Sequence, residues 1–165
     1  MTAIRKAGAT SNKILLPGNE WTHASAFISN GSGAALSKVT NFDGSTTNLI
    51  FDVHQYLDSD GSGTHTACTT NNVDAFNTLG AWLQTNKRQA ILTETGGSSE
   101  TSCLTALCEQ FEAMNKYSDV YLGWTGWSAG MFASSYELSE VPTKSGSTWK
   151  DTEIVTECVA GKFNK

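Results

Sequence analysis

Gln89-Ala90-Ile91-Leu92-Thr93-Glu94, followed at once by Thr95-Gly96-Gly97, is the stretch on which the fold turns. A short apolar run halted by two glycines reads as a buried strand, and the carboxylate at its end sits where such a strand meets solvent. Three similar runs flank it. Lys13-Ile14-Leu15-Leu16-Pro17 is closed by Pro17-Gly18, and Leu49-Ile50-Phe51-Asp52-Val53-His54-Gln55-Tyr56 and Val120-Tyr121-Leu122-Gly123-Trp124-Thr125-Gly126-Trp127 complete the set. Between them the spacing predicts helices. Val73 to Thr85 places Val73, Phe76, Leu79 and Leu83 on one face, and Ser102 to Lys116 does the same with Leu104, Leu107, Cys108, Phe111 and Met114. Thr152 to Gly161 is a closing helix with Gly161 as its stop, and Thr22 to Lys38 reads as broken or short helices. Strand and helix in alternation predict βα units on a parallel sheet. No linker, repeat or low-complexity tract interrupts them, so residues 1–165 are read as one domain.

Composition narrows the function. The chain has 165 residues, 11 basic and 16 acidic, for a formal charge of -5. That length supports a hydrophobic core but falls short of the roughly 250 residues of a full (β/α)8 barrel. No basic run exists, so nucleic acid and anionic membranes are not expected partners. No apolar stretch approaches the ~20 residues of a membrane span. The first residues, Met1-Thr2-Ala3-Ile4-Arg5-Lys6, lack the apolar core of a signal peptide, which points to a leader already removed or to an excised piece. Sparse charge with abundant Gly, Ser, Thr and Asn fits a secreted surface. Four cysteines, Cys68, Cys103, Cys108 and Cys158, suit two disulfides in any of three connectivities. Zinc is the competing reading, but no C-x-x-C pair supports it. Asn30-Gly31-Ser32 is a glycosylation sequon, in agreement with secretion.

The chemistry-bearing residues gather where the strands end: Asn19-Glu20-Trp21, His54-Gln55-Tyr56, Glu94, and Trp124 with Trp127. In parallel βα architectures the active site is built at this rim, because the βα loops converge there. Carboxylates supply nucleophile and acid for sugar chemistry, and aromatic faces cover the apolar side of a pyranose. Trp124 reads as packing, Trp21 as open between platform and core, and His23 and His65 as loop residues without a role. Asp58-Ser59-Asp60-Gly61-Ser62-Gly63 hints at calcium but lacks the bidentate glutamate of an EF-hand loop, so a turn is expected there.

Four motifs then acquire a common meaning: Pro17-Gly18-Asn19-Glu20-Trp21, Ile50 to Asp58, Ile91 to Gly97 and Gly123 to Gly130. In order and spacing they resemble strands five to eight of the secreted fungal endo-β-1,4-glucanases of glycoside hydrolase family 5, over essentially Ala3 to Lys162. The resemblance implies an α/β fold that is the C-terminal half of a (β/α)8 TIM barrel. It implies a retaining β-1,4-glucan hydrolase that needs no cofactor and no metal. Glu94 takes the place of the catalytic nucleophile. His54 and Tyr56 match strand-six residues lining the site, and Trp127 matches the sugar-platform tryptophan. Cys68 is expected to pair with Cys103, and Cys108 with Cys158. The implied partner is a β-glucan polysaccharide or cello-oligosaccharide.

One departure matters. The family's acid/base glutamate lies in an Asn-Glu-Pro motif, and this chain has none. Retaining hydrolysis needs a second carboxyl about 5–5.5 Å from the nucleophile. Glu20, in the only Asn-Glu pair, is the candidate substitute, with Trp21 beside it as a further sugar contact. A half barrel also leaves two sheet edges open, and open edges invite pairing. Either a homodimer or an N-terminal half would close the barrel. A glucan-binding protein and an inactive half barrel are the alternative readings.

Overall fold

The computed structural model describes residues 2–132 and 135–162. Its centre is a parallel four-stranded sheet in the order β1-β2-β3-β4. The strands are β1 (Ile14–Pro17), β2 (Leu49–His54), β3 (Ala90–Thr95) and β4 (Tyr121–Gly126). The major helices are α3 (Val73–Asn86) and α4 (Thr101–Asn115), which pack on one face of the sheet. Short helices α1 (Thr2–Lys6) and α2 (Ser32–Leu36) precede them, and a π-helical turn, Val155–Val159, lies against α4. This is the expected βα alternation, and it forms part of a (β/α)8 barrel. Among the described residues β1 and β4 are edges with no further strand beside them.

Side-chain alternation along a strand separates core from cleft. On β2, Phe51 and Val53 are fully buried in the cluster that holds Phe76, Leu79, Leu83, Leu107 and Phe111. Asp52 and His54 point the other way. Trp124 stacks on Phe111 with ring centroids 4.2 Å apart, so it serves the core. On the opposite face Leu15 and Leu122 are exposed, at 41% and 40%.

The cysteines pair as the family resemblance implied, Cys68 with Cys103 and Cys108 with Cys158. Two elements escaped the sequence reading. One is α1. The other is an antiparallel hairpin, β5 (Thr143–Ser145) and β6 (Thr148–Lys150), joined by Gly146-Ser147 with Gly146 at φ 61°. A two-residue loop opening with glycine is a hairpin signal, and it was present in the sequence.

Candidate active site

The register of the sheet brings the first two groups together. β2 and β3 run in step to Val53, shift there, and then place His54 directly opposite Glu94. A register shift of this kind re-aims side chains at a strand's end. His54 Nδ1 lies 2.8 Å from Glu94 Oε2. The ring nitrogen and the carboxylate oxygen are thus in direct contact. His54 Nε2 lies 3.9 Å from Asp52 Oδ1, and that carboxylate accepts a hydrogen bond from the Thr93 hydroxyl. The imidazole therefore sits between two carboxylates, one of them the expected nucleophile.

Tyr56 follows two residues on and is 7% exposed. Burial first, then the charge of Glu94 and hydrogen bonding to it, push its phenol far above the usual range. Its ring is backed by Gly63, where a Cβ would stand 2.6 Å from two ring carbons. The two glycines after Glu94 have separate steric reasons. A Cβ on Gly96 would come within 2.2 Å of the Trp127 carbonyl oxygen, and one on Gly97 would press on the Cys68–Cys103 bridge. Gly96 thus lets the backbone at Trp127, just past β4, pass close to the end of β3, where the Trp127 amide donates to the Thr95 carbonyl. The Trp127 indole is 42% exposed.

His54, Tyr56 and Glu94 open onto a cleft of about 540 Å³ whose lining also includes Trp21, His23 and Asp52, whereas Trp127, expected there as a sugar platform, is not among the lining residues. Trp21 stands at its lip, 84% exposed, in a turn where Glu20, Trp21 and Thr22 have φ of 53°, 51° and 57°. Successive left-handed non-glycine residues cost energy and persist only where the surroundings over-determine them. Here buried Thr22 does so. Its hydroxyl accepts from Gly18 N and donates to the Asp52 carbonyl, while Asn19 N donates to Ser32 Oγ.

Glu20 is placed differently from the expectation. It is exposed, its Oε2 accepts from Asn30 Nδ2 at 3.1 Å, and it is not among the cleft-lining residues. The left-handed turn sends the indole to the cleft and the carboxylate to Asn30. Sequence reasoning missed Asp52, His23 and Tyr136. Asp52 reads as one more strand residue, and only the alternation with His54 marks it. Tyr136 comes from the segment after β4. It stacks on Phe132 at 4.6 Å and hydrogen-bonds to Trp127; burial first, then the charges of Glu94, Glu137 and Glu140, raise its phenol pKa. Glu140 lies against Gly126, and burial pushes its carboxyl up, but it does not line the cleft.

Asp60, Gly61 and Ser62 form another wall of the cleft. Asp58, Asp60 and His65 bring their ligand atoms within 4.8 Å of one another. The Asp58 carboxylate is already occupied by the amides of Gly63, Thr64 and His65, the Ser62 hydroxyl and His65 Nδ1. The segment is thus a carboxylate-centred turn, as the sequence suggested. Burial alone would raise the Asp58 carboxyl, but the His65 ring and these amides outweigh it and hold it at about 2. A depressed folded-state pKa gives stability that is present above the ordinary value and lost as pH falls from near 4 towards 2. Asp58→Asn is expected to cost about 2 kcal/mol at neutral pH and only about 0.4 kcal/mol at pH 2. Urea midpoints of both proteins across that range check it.

A model of the family Cellulase (glycosyl hydrolase family 5) matches residues 1–130. The chain belongs to glycosyl hydrolase family 5. It is 63% identical over 163 residues to endoglucanase EG-II of Hypocrea jecorina, covering 98% of this chain and 39% of that protein. It is 35% identical to endo-beta-1,4-glucanase A of Emericella nidulans, over 96% of this chain and 48% of that one. Among solved structures it resembles Cel5A (EG2) of Hypocrea jecorina with a TM-score of 0.91, covering 95% of this chain and 48% of that chain. XacCel5A in complex with cellopentaose matches with a TM-score of 0.81 at 34% identity, covering 93% of this chain and 49% of that one. The chain therefore spans about two fifths to one half of these family members. No helix among the described residues is long and apolar enough to cross a membrane.

Proposed function

We propose that this chain forms the nucleophile-bearing side of a retaining endo-β-1,4-glucanase cleft, corresponding to strands five to eight of the family barrel. The observation that carries the reading is Glu94, at the end of β3, with its Oε2 held by His54 and its charge felt by the buried Tyr56. Glu94 attacks the anomeric carbon and forms a glycosyl-enzyme, which water then hydrolyses. His54 fixes the carboxylate's orientation, Tyr56 sits beside it, and Trp127 and Trp21 offer faces for glucosyl rings. The substrate class, a β-1,4-glucan or cello-oligosaccharide, follows from relatives named endoglucanases and one solved with cellopentaose. Two disulfides support secretion. The acid/base carboxyl comes from strands beyond edges β1 and β4, in an N-terminal half or a second copy.

A second reading has its own support. Glu20 does not line the cleft, so the chain alone would bind glucan without cleaving it efficiently. Leaving-group chemistry separates the two. General acid–base assistance contributes about 10²–10⁴-fold, and a 2,4-dinitrophenolate departs without it. The chain alone is expected to release a burst of dinitrophenolate from 2,4-dinitrophenyl β-cellobioside while hardly cleaving carboxymethyl cellulose. Azide, which needs no general base, is expected to accelerate turnover and yield β-cellobiosyl azide. Binding of cellopentaose with no burst leaves only the glucan-binding reading.

A further inference from the structure

We propose that Asn30 is an N-glycosylation site that carries one asparagine-linked oligosaccharide at Nδ2, beside the cleft at its β1 rim. The sequon Asn30-Gly31-Ser32 has glycine, not proline, in the middle. The fold accommodates the modification. Asn30 is half-buried, in a turn that it closes itself, its Oδ1 accepting from Ser32 N at 2.9 Å. That bond uses the oxygen and leaves the nitrogen outward. The partner of Nδ2 is the carboxylate of exposed Glu20, which water can replace at small cost. Gly31, at φ 83°, has open space where a side chain would stand. A core asparagine would instead have Nδ2 committed to buried acceptors, as Asn72 does with the Tyr56 carbonyl and Gln110.

The folded structure also orders the events. Ser32 is 4% exposed and its hydroxyl accepts from Asn19 N, so the sequon's hydroxyl is out of reach once the chain has folded. Transfer therefore precedes folding, on the nascent chain in an oxidising compartment, where the two disulfides also form. The donor class is a lipid-pyrophosphate-linked oligosaccharide. The amide nitrogen forms a bond to the anomeric carbon of the first N-acetylglucosamine, the anomeric C–O bond breaks, Nδ2 loses one proton, and the lipid pyrophosphate leaves. One N–H remains on Nδ2. Since Asn30 touches Glu20 and neither lines the cleft, the glycan is attached outside the groove.

The test is secretion of the full chain from a yeast host behind a cleavable leader, with intact mass read before and after peptide-N-glycosidase in heavy-oxygen water. Wild type is expected to carry one glycan, and release should convert residue 30 to a heavy-oxygen aspartate in its peptide. Asn30→Gln should be secreted without that glycan. Ser32→Thr, which keeps both sequon and hydroxyl, should retain it. An unmodified Asn30 peptide in secreted wild type overturns the proposal. So does secretion of Asn30→Gln when wild type is retained, because the fold would then reject the glycan.

Discussion

Glu94→Gln is expected to abolish dinitrophenolate release from an activated aryl β-cellobioside, with a loss of roughly 10⁴-fold or more, the scale on which enzymes lose turnover when a covalent nucleophile is removed. The substitution is nearly isosteric and keeps an oxygen beside His54 Nδ1, so the cleft keeps its shape. What goes is the charge, and an amide oxygen does not displace a leaving group from the anomeric carbon. Cello-oligosaccharide binding should persist, because the platforms Trp21 and Trp127 are untouched. A 2-deoxy-2-fluoro cellobioside with a good leaving group provides the complementary reading. It should form a long-lived ester, and digestion should find the added mass on the peptide carrying Glu94. Glu20→Gln is expected to change aryl turnover little, since Glu20 does not line the cleft. Label on another carboxylate, or an active Glu94→Gln protein, would sink the assignment.

That contrast between two glutamates marks how far the sequence could be read. Glu94's place at the end of an apolar strand, and so at the cleft, was legible because a carboxylate there before two glycines is unusual, while the role of nucleophile was supplied by the family resemblance. The residues alone left His54 and Tyr56 equally readable as core, and the family resemblance drew them to the cleft, whose lining includes both. Glu20 had an equally suggestive position, but its direction depends on three left-handed residues, φ 53°, 51° and 57°, that no residue type there announces. Glycine or asparagine would have signalled them; Glu, Trp and Thr do not. The conformation is imposed by Thr22 and by Ser32, thirteen residues beyond Asn19. Asp52 was hidden for a different reason: alternation puts it in the cleft, but its meaning depends on a register shift at Val53 and on Thr93 of the next strand. Tyr136 sits in a segment with no periodicity; it packs on Phe132, which leans on Trp127, and it feels the charge of Glu94. Local pattern gave the elements and their polar tips. Non-local contacts decided where each polar tip points.

The two disulfides, alike in chemistry, are expected to fail differently. Removing either should cost about 4 kcal/mol, by the loop-closure entropy of chain separations of 35 and 50 residues. For a chain of this size that lowers the melting temperature by roughly 10 °C or more. Cys108–Cys158 ties the π-helical turn Val155–Val159 to α4, where Cys158 and Ile154 are buried in the core. None of these residues approaches the cleft. Cys108→Ser with Cys158→Ser should therefore lower stability while the folded fraction keeps its burst amplitude and rate. Cys68–Cys103 joins the segment after Tyr56 to the first turn of α4, and Gly97, three residues past Glu94, packs on its sulfurs. Cys68→Ser with Cys103→Ser should lower stability by a similar amount and also slow the burst at temperatures where the protein remains folded. Calorimetry read alongside burst kinetics separates the two effects. Equal burst rates in both double variants would mean that the bridge constrains the unfolded chain alone and that β3 positions Glu94 without it.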